Sequence, residues 1–258
     1  MPIPSLFWTK FRRLCVLHLG DQDELQAQID GIFTPMPTLA RGDQDRMMAG
    51  LFATLGRLPN AVERGFLIGT RMPVTAYGAA SLGMLTAPTI GDTLQFIADL
   101  RRVAVPLIDF GYETSESEGR FTIRFRCPID REAEALIVAL CIAAIECELA
   151  RRSGRIGNFA RLELTASSRG SETSYRNWLG RVPSTDAEVN TLVFARAVLD
   201  LPNSYADSET FDSIRRAATQ SAEPRDCGTR LQDRVRDTIR SNIANPPPLA
   251  RVASKASG

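Results

Sequence analysis

Between Glu134 and Glu146 the chain runs through eleven apolar residues in succession, ALIVALCIAAI at 135–145. A membrane-spanning helix needs roughly 20 such residues, and a helix that is apolar on every side is one that its neighbours bury. The run therefore reads as the centre of a long buried helix, from Asp130 to about Arg152, in a soluble protein. With 258 residues, 44% of them apolar and 24% charged, there is enough material to cover it, in one large domain or two modest ones.

The segments around that helix supply two kinds of cover. Before it the pattern is helical. Asp43 is expected to cap a helix through about Gly56, with Met47, Leu51, Phe52 and Leu55 on one face. AVERGFLIGTRM follows, then a small-residue helix that Pro88 breaks. Thr89 should cap the next helix, with Asp92 completing a capping box. After Pro106 the period changes to two. LIDFGYET and GRFTIRFRC alternate around the polar tip SESEG, which predicts a β-hairpin. Beyond the central helix come a third strand, FARLELTA, a short helix around TSYRNWLG, and a fourth strand, VNTLVFARAV. Two helices from about Ser208 are separated by AEPRDCGT. The expected fold is mixed α+β within the α/β class. It has N-terminal helices, a small antiparallel or mixed sheet with covering helices, and a C-terminal helical appendage.

Charge and cysteine usage close off several classes of function. The formal net charge is +1, so no global field draws the chain to nucleic acid or a membrane. Residues 224–258 carry seven Lys/Arg against three Asp, which leaves the rest of the chain mildly acidic. The five cysteines are odd in number and show no C-x-x-C spacing, and His18 is the one histidine. That set supports neither a zinc site nor a disulfide framework, and it suits a reducing compartment. Lys10, Arg12 and Arg13 interrupt the apolar start and no cleavage site follows, so the segment reads as a mature N-terminus of a cytoplasmic protein. No metal or cofactor is expected.

Enzyme signatures are missing. There is no G-x-G-x-x-G, no G-x-x-x-x-G-K-[ST], no G-x-S-x-G and no H-E-x-x-H. Any imidazole chemistry must use His18, which sits between Leu17 and Leu19 and reads as structural. Binding chemistry has better candidates. In GRFTIRFR the alternation puts Phe121, Ile123 and Phe125 on one face and Arg120, Thr122, Arg124 and Arg126 on the other. Three guanidiniums on one face can clamp phosphates or carboxylates. They can equally be the solvent side of a half-buried strand, paired across the sheet with Glu163. Tyr77, Phe96, Phe110, Tyr112, Trp178 and Phe194 are material for a ligand pocket or for core.

Two resemblances bear on function. The pair Arg120/Arg124, R-x-x-x-R, together with Thr165, Ser167 and Gly170 in T-x-S-x-x-G, is similar to the bipartite pattern of PilZ-type domains, which bind cyclic di-GMP. Thr165 stands where those domains have Asp or Asn, and the chain holds four R-x-x-x-R pairs in all.

The second resemblance begins in the tail. Leu231, Val235 and Ile239 form one apolar helix face, Pro246 to Pro248 make a bend, and Leu249, Val252, Ala253 and Ala256 are spaced as a second helix. This is similar to the entry to the helix-turn-helix of AraC/XylS-type transcription regulators, ending before the helix that would enter the major groove. Upstream, YGAASLGMLTAPTIGDTLQFIADLRRV and VNTLVFARAVLDLPNSYAD resemble two stretches of that family's arabinose-binding-like sensor domain. The resemblance implies an effector-sensing and dimerisation domain over 1–207, a helical linker over 208–244, and at 245–258 the start of a truncated DNA-binding domain. It implies a homodimer, a small-molecule effector that could be cyclic di-GMP, promoter DNA as partner of the full-length protein alone, transcriptional activation, and no membrane. A ligand-free dimerisation platform and a small-molecule enzyme are the competing readings.

Overall fold

The computed structural model describes residues 5–19, 23–39, 41–100, 107–154, 159–165, 172–185 and 187–222. It divides into a compact unit, Met1–Thr219, and a second unit, Gln220–Gly258, of which the described residues reach only the end of one helix. The tail helices expected over 229–256 lie outside the described residues. Helices α1 (Ser5–Leu19), α2 (Asp23–Phe33), α3 (Arg41–Gly56), α4 (Ala61–Arg71), α5 (Ala79–Thr86) and α6 (Ile90–Asp99) come first, with a 3-10 turn at Val74–Tyr77. Strands β1 (Ile108–Thr114) and β2 (Glu118–Phe125) precede α7 (Arg131–Ser153). Then follow β3 (Arg161–Glu163), α8 (Glu172–Leu179), β4 (Asn190–Ala195), α9 (Arg196–Leu199) and α10 (Ser208–Ala222). The four strands form one sheet of order β1-β2-β4-β3 in which every pairing is antiparallel, so the fold is mixed α+β as expected.

The apolar run is buried because α7 is packed on more than one side. Asp130 caps its start by accepting from the Ala133 N–H at 2.9 Å, and Gly154, at φ 67°, ends it in the left-handed conformation that glycine takes without strain. Against one side lies α4, whose Gly65 and Gly69 carry no Cβ. A Cβ at either would overlap the carbonyl oxygen of Leu136 or Leu140. The G-x-x-x-G spacing thus lets two backbones approach closely, and Ala139 and Ala143 fill the contact from the other helix. A separate aromatic group, Phe7, Trp8, Phe11, Phe33, Phe52 and Tyr77, joins α1, α2, α3 and the 3-10 turn.

Alternation in the hairpin holds. Phe110 pairs with Ile123 and Tyr112 with Phe121 on the face turned to the core, while Glu113 stands opposite Arg120 on the other. Leu162, Leu192 and Phe194 continue the core face across β3 and β4. The capping box of α6 is present: the Asp92 N–H donates to Thr89 Oγ1 at 3.1 Å and the Thr89 N–H to Asp92 Oδ2 at 3.2 Å.

Three local expectations need correction. Helix α3 begins at Arg41, so Asp43 lies in its first turn and pairs with Arg46 instead of capping. Met48 joins Leu51, Phe52 and Leu55 in the core, and Met47 is only partly buried, packed against it. The fourth strand stops at Ala195, where its partner β2 begins at Glu118; with no strand left to pair, Arg196–Leu199 coil into α9.

Candidate functional site

On α7, Cys141, Ala144, Ile145, Glu148, Leu149 and Arg152 recur at the 3- and 4-residue spacing that makes one helix stripe. The stripe faces Met72, the 3-10 turn, α5, α6 and Phe110 of β1, and between them lies a cavity of about 70 Å³. Thr93, Ile97 and Leu100 line it from α6, Ala80 and Met84 from α5, Val74 and Tyr77 from the turn. Most of this wall is apolar. Its polar exceptions are Tyr77, Thr93, Glu148 and Arg152, the last three joined by hydrogen bonds at one end.

Arg152 is 1% exposed. Its Nη1 donates to the Met84 carbonyl oxygen and, at 3.3 Å, to Thr93 Oγ1; Nη2 meets Glu148 Oε2 at 3.3 Å. Its Nε–H has no partner among the described residues. Burial draws the guanidinium below its ordinary pKa, opposed by the Glu148 carboxylate, and an arginine stays charged through so large a margin. Glu148 also pairs with Arg151 at 2.5 Å, so two guanidiniums share one carboxylate at this end. Burial pushes the Cys141 thiol up to about 12 and the Tyr77 phenol higher still. Both stay protonated near neutral pH, so the thiol is no nucleophile there.

The cavity's walls are tied to α10. The backbone oxygen of Arg152 accepts from the Ser204 hydroxyl at 2.6 Å, and Asn203 Nδ2 donates to the carbonyls of Leu85 and Ala87. The Asp207 N–H donates to Thr86 O at 3.0 Å, while its carboxylate caps α10 through the Thr210 N–H at 3.1 Å. Phe96, on α6 beside the lining residues, packs edge-on against Phe211 with centroids 5.7 Å apart. Gly83 leaves room for the Phe96 ring and for Ile214.

The arginine face of β2 is differently arranged. Arg120 meets Glu163 at 2.5 Å and Glu118 at 3.4 Å, and Arg161 meets the same two carboxylates at 3.0 Å. The four side chains cover Val193, which is fully buried on this outer face. Arg161 and Arg120 hold Glu118 below the usual carboxylate pKa; burial raises Glu163, yet the same arginines bring it below as well. Arg126, past the end of β2, is bound by Asp45 at 2.9 Å and Asp109 at 2.8 Å and donates to the Ile108 carbonyl. Arg124 is exposed and in register with Asp109, and it forms no ion pair among the described residues. The Thr165 hydroxyl donates to Glu134, and its N–H donates to Asn190 Oδ1 at 3.0 Å. Ser167 and Gly170 lie outside the described residues. Arg120, Arg126 and Thr165 are thus each engaged by different partners.

Of the aromatic candidates, Tyr77 and Phe110 line the cavity. Phe96 and Phe194 belong to the core, Tyr112 packs beside Gly119, and Trp178 stacks on Phe66, 38% exposed. His18, on α1, has Nε2 2.7 Å from Arg71 Nη1; burial first, then Arg71 and Arg64, lower its pKa. Glu148 and Arg152 are not among the residues expected from the sequence. Their signal was available: both continue the stripe of Cys141, Ala144 and Ile145, which places two charges in line with buried positions. Among the described residues no group of His, Cys, Asp and Glu could hold a metal, and no helix is long and apolar enough to cross a membrane.

Comparison with known proteins bears on the whole unit. The family described as the arabinose-binding domain of AraC transcription regulator, N-terminal, matches residues 40–203. None of the curated proteins matches the chain. Among solved structures, the transcriptional regulator CdpR from Pseudomonas aeruginosa is similar in fold, with a TM-score of 0.60 at 15% identity over 98% of this chain and 75% of that one.

Proposed function

The chain belongs to the family of AraC transcription regulators that carry this arabinose-binding N-terminal domain, and from that premise we propose that it senses a small molecule in the cavity beside Arg152. The observation that carries the reading is the pairing of a largely apolar wall with one buried, incompletely paired guanidinium. That is the composition of a small-molecule site: an apolar enclosure and a few polar groups to fix orientation. Residues 1–207 are the sensing and dimerisation part, 208–244 a linker, and 245–258 the start of a helix-turn-helix that reads promoter DNA in a cytoplasmic homodimer. The effector acts by population shift. It favours one arrangement of α5 and α6, which pack on α10, and so biases the DNA-binding part.

A second reading places an anionic effector, cyclic di-GMP, on the outer face of the sheet. Arg124, exposed and without an ion pair among the described residues, favours it. The carboxylates already bound to Arg120 and Arg126 count against it.

A thermal-shift screen with sugars, amino acids, aliphatic and aromatic acids and cyclic di-GMP tests the proposal. An effector raises the melting temperature with the logarithm of its excess over Kd. The rise should vanish in Ala144→Leu, which fills the cavity, and amide exchange over 208–218 should change with the same ligand. A rise that survives Ala144→Leu but is lost in Arg124→Ala moves the site to the sheet. No rise from any ligand class leaves the dimerisation platform as the better account.

A further inference from the structure

We infer that the effector is a short-chain carboxylate, its apolar body lodged between Ile97, Phe110 and Ile145 and its carboxylate received by Arg152. The inference rests on the cavity being the effector site and adds the chemical class. Three observations carry it.

The first is the unpaired donor. Nη1 and Nη2 of Arg152 are engaged, but the Nε–H is buried without a partner among the described residues. A buried donor left unmade is costly, so a ligand oxygen that accepts from it recovers a large part of that cost. The second is the local charge. Arg151, outside the lining and half exposed, holds Glu148 at 2.5 Å, closer than the 3.3 Å between Glu148 and Arg152 Nη2, so the one carboxylate in the wall only partly offsets the buried guanidinium and an anion is favoured beside it. A ligand ammonium would meet the Arg152 guanidinium, and Glu148 is already held by two arginines.

The third is the wall. Beyond Thr93, Tyr77 and the Arg152–Glu148 end, the lining is apolar. A sugar would bury several hydroxyls with too few partners, each at a cost. Although the family is described by arabinose, this cavity is not built for a polyol. Its volume of about 70 Å³ is roughly half of the ~150 Å³ that accommodates benzene. The apolar part of the ligand is therefore about three carbons long.

Isothermal calorimetry on the whole chain with butanoate, 2-methylpropanoate, butanamide, butylamine and arabinose tests this. Butanoate or 2-methylpropanoate should bind, with butanamide about tenfold weaker for want of the charge-assisted bond. Butylamine and arabinose should give no heat. Ala144→Leu should abolish carboxylate binding without touching Arg152, and Arg152→Lys, which keeps the charge but loses the Nε–H, should weaken it by about tenfold or more. Equal affinity for acid and amide, or binding that survives Ala144→Leu, overturns the inference. A different class that binds in an Ala144-dependent way overturns the carboxylate while the cavity reading stands. If nothing in the wider screen depends on Ala144, both fall.

Discussion

The outer face of the sheet and the cavity on its inner side both hold arginine, and they hold it in opposite states. On the outer face Arg120 and Arg161 close a ring with Glu118 and Glu163, half open to water, above the buried Val193. In the cavity Arg152 is wholly buried, meets one shared carboxylate at 3.3 Å, and leaves an N–H unpaired. Arginines that are numerous and already satisfied have little left to offer a ligand. A single desolvated one with spare hydrogen-bonding capacity has much, because its interactions are not screened by water.

The largest expected effect comes from removing the buried member. Arg152→Met leaves the Met84 carbonyl and the Thr93 hydroxyl without their buried donor and Glu148 with Arg151 alone, and should lower stability to urea by about 3 kcal/mol. Arg120→Met removes a solvent-screened pair and should cost less than ~1 kcal/mol. Similar losses from the two variants would erase the contrast.

Next is the cavity's rear wall. Gly69→Ala drives a methyl into the Leu140 carbonyl and the Ala143 side chain, separating α4 from α7. A loss of about 1–3 kcal/mol is expected from denaturant titration. A neutral result would mean that α7 is not held by that contact. The α6 wall is tested more gently: Thr89→Ala opens the capping box, at a cost of about 1 kcal/mol.

These elements differ in how far the sequence revealed them. The hairpin, the capping box at Thr89 and Asp92, and the length of α7 follow from local rules of period and capping, so they could be read residue by residue. The close approach at Gly65 and Gly69 could not, since it depends on which helix lies opposite. The arginine stripe of β2 was legible as a stripe. That Arg126 would turn to Asp45, 81 residues away, was not. The cavity escaped because it is assembled from the 3-10 turn, α5, α6, β1 and α7 together. Counting aromatic residues found Tyr77 and Phe110 and missed Arg152, where the charge sits.

The smallest effect is on pH dependence and belongs to the sheet. Glu118 and Glu163 have folded pKa values below their ordinary ones. The stability they contribute is present above the unfolded carboxyl pKa of about 4.3 and fades as pH falls through the lower folded values. Arg161→Gln should therefore lower the urea midpoint by a small constant amount above about pH 4.5, with the difference closing as pH falls further, so that the acid limb of the profile is flatter. An unaltered acid limb would show that the ring is not coupled to folding.

The most direct measurement is a crystal structure with the ligand that gives the largest thermal shift. The account predicts density for it between Ile97, Phe110 and Ile145, with an oxygen within hydrogen-bond distance of Arg152 Nε. Density on the outer face of the sheet at Arg124, with the cavity unfilled, would contradict it.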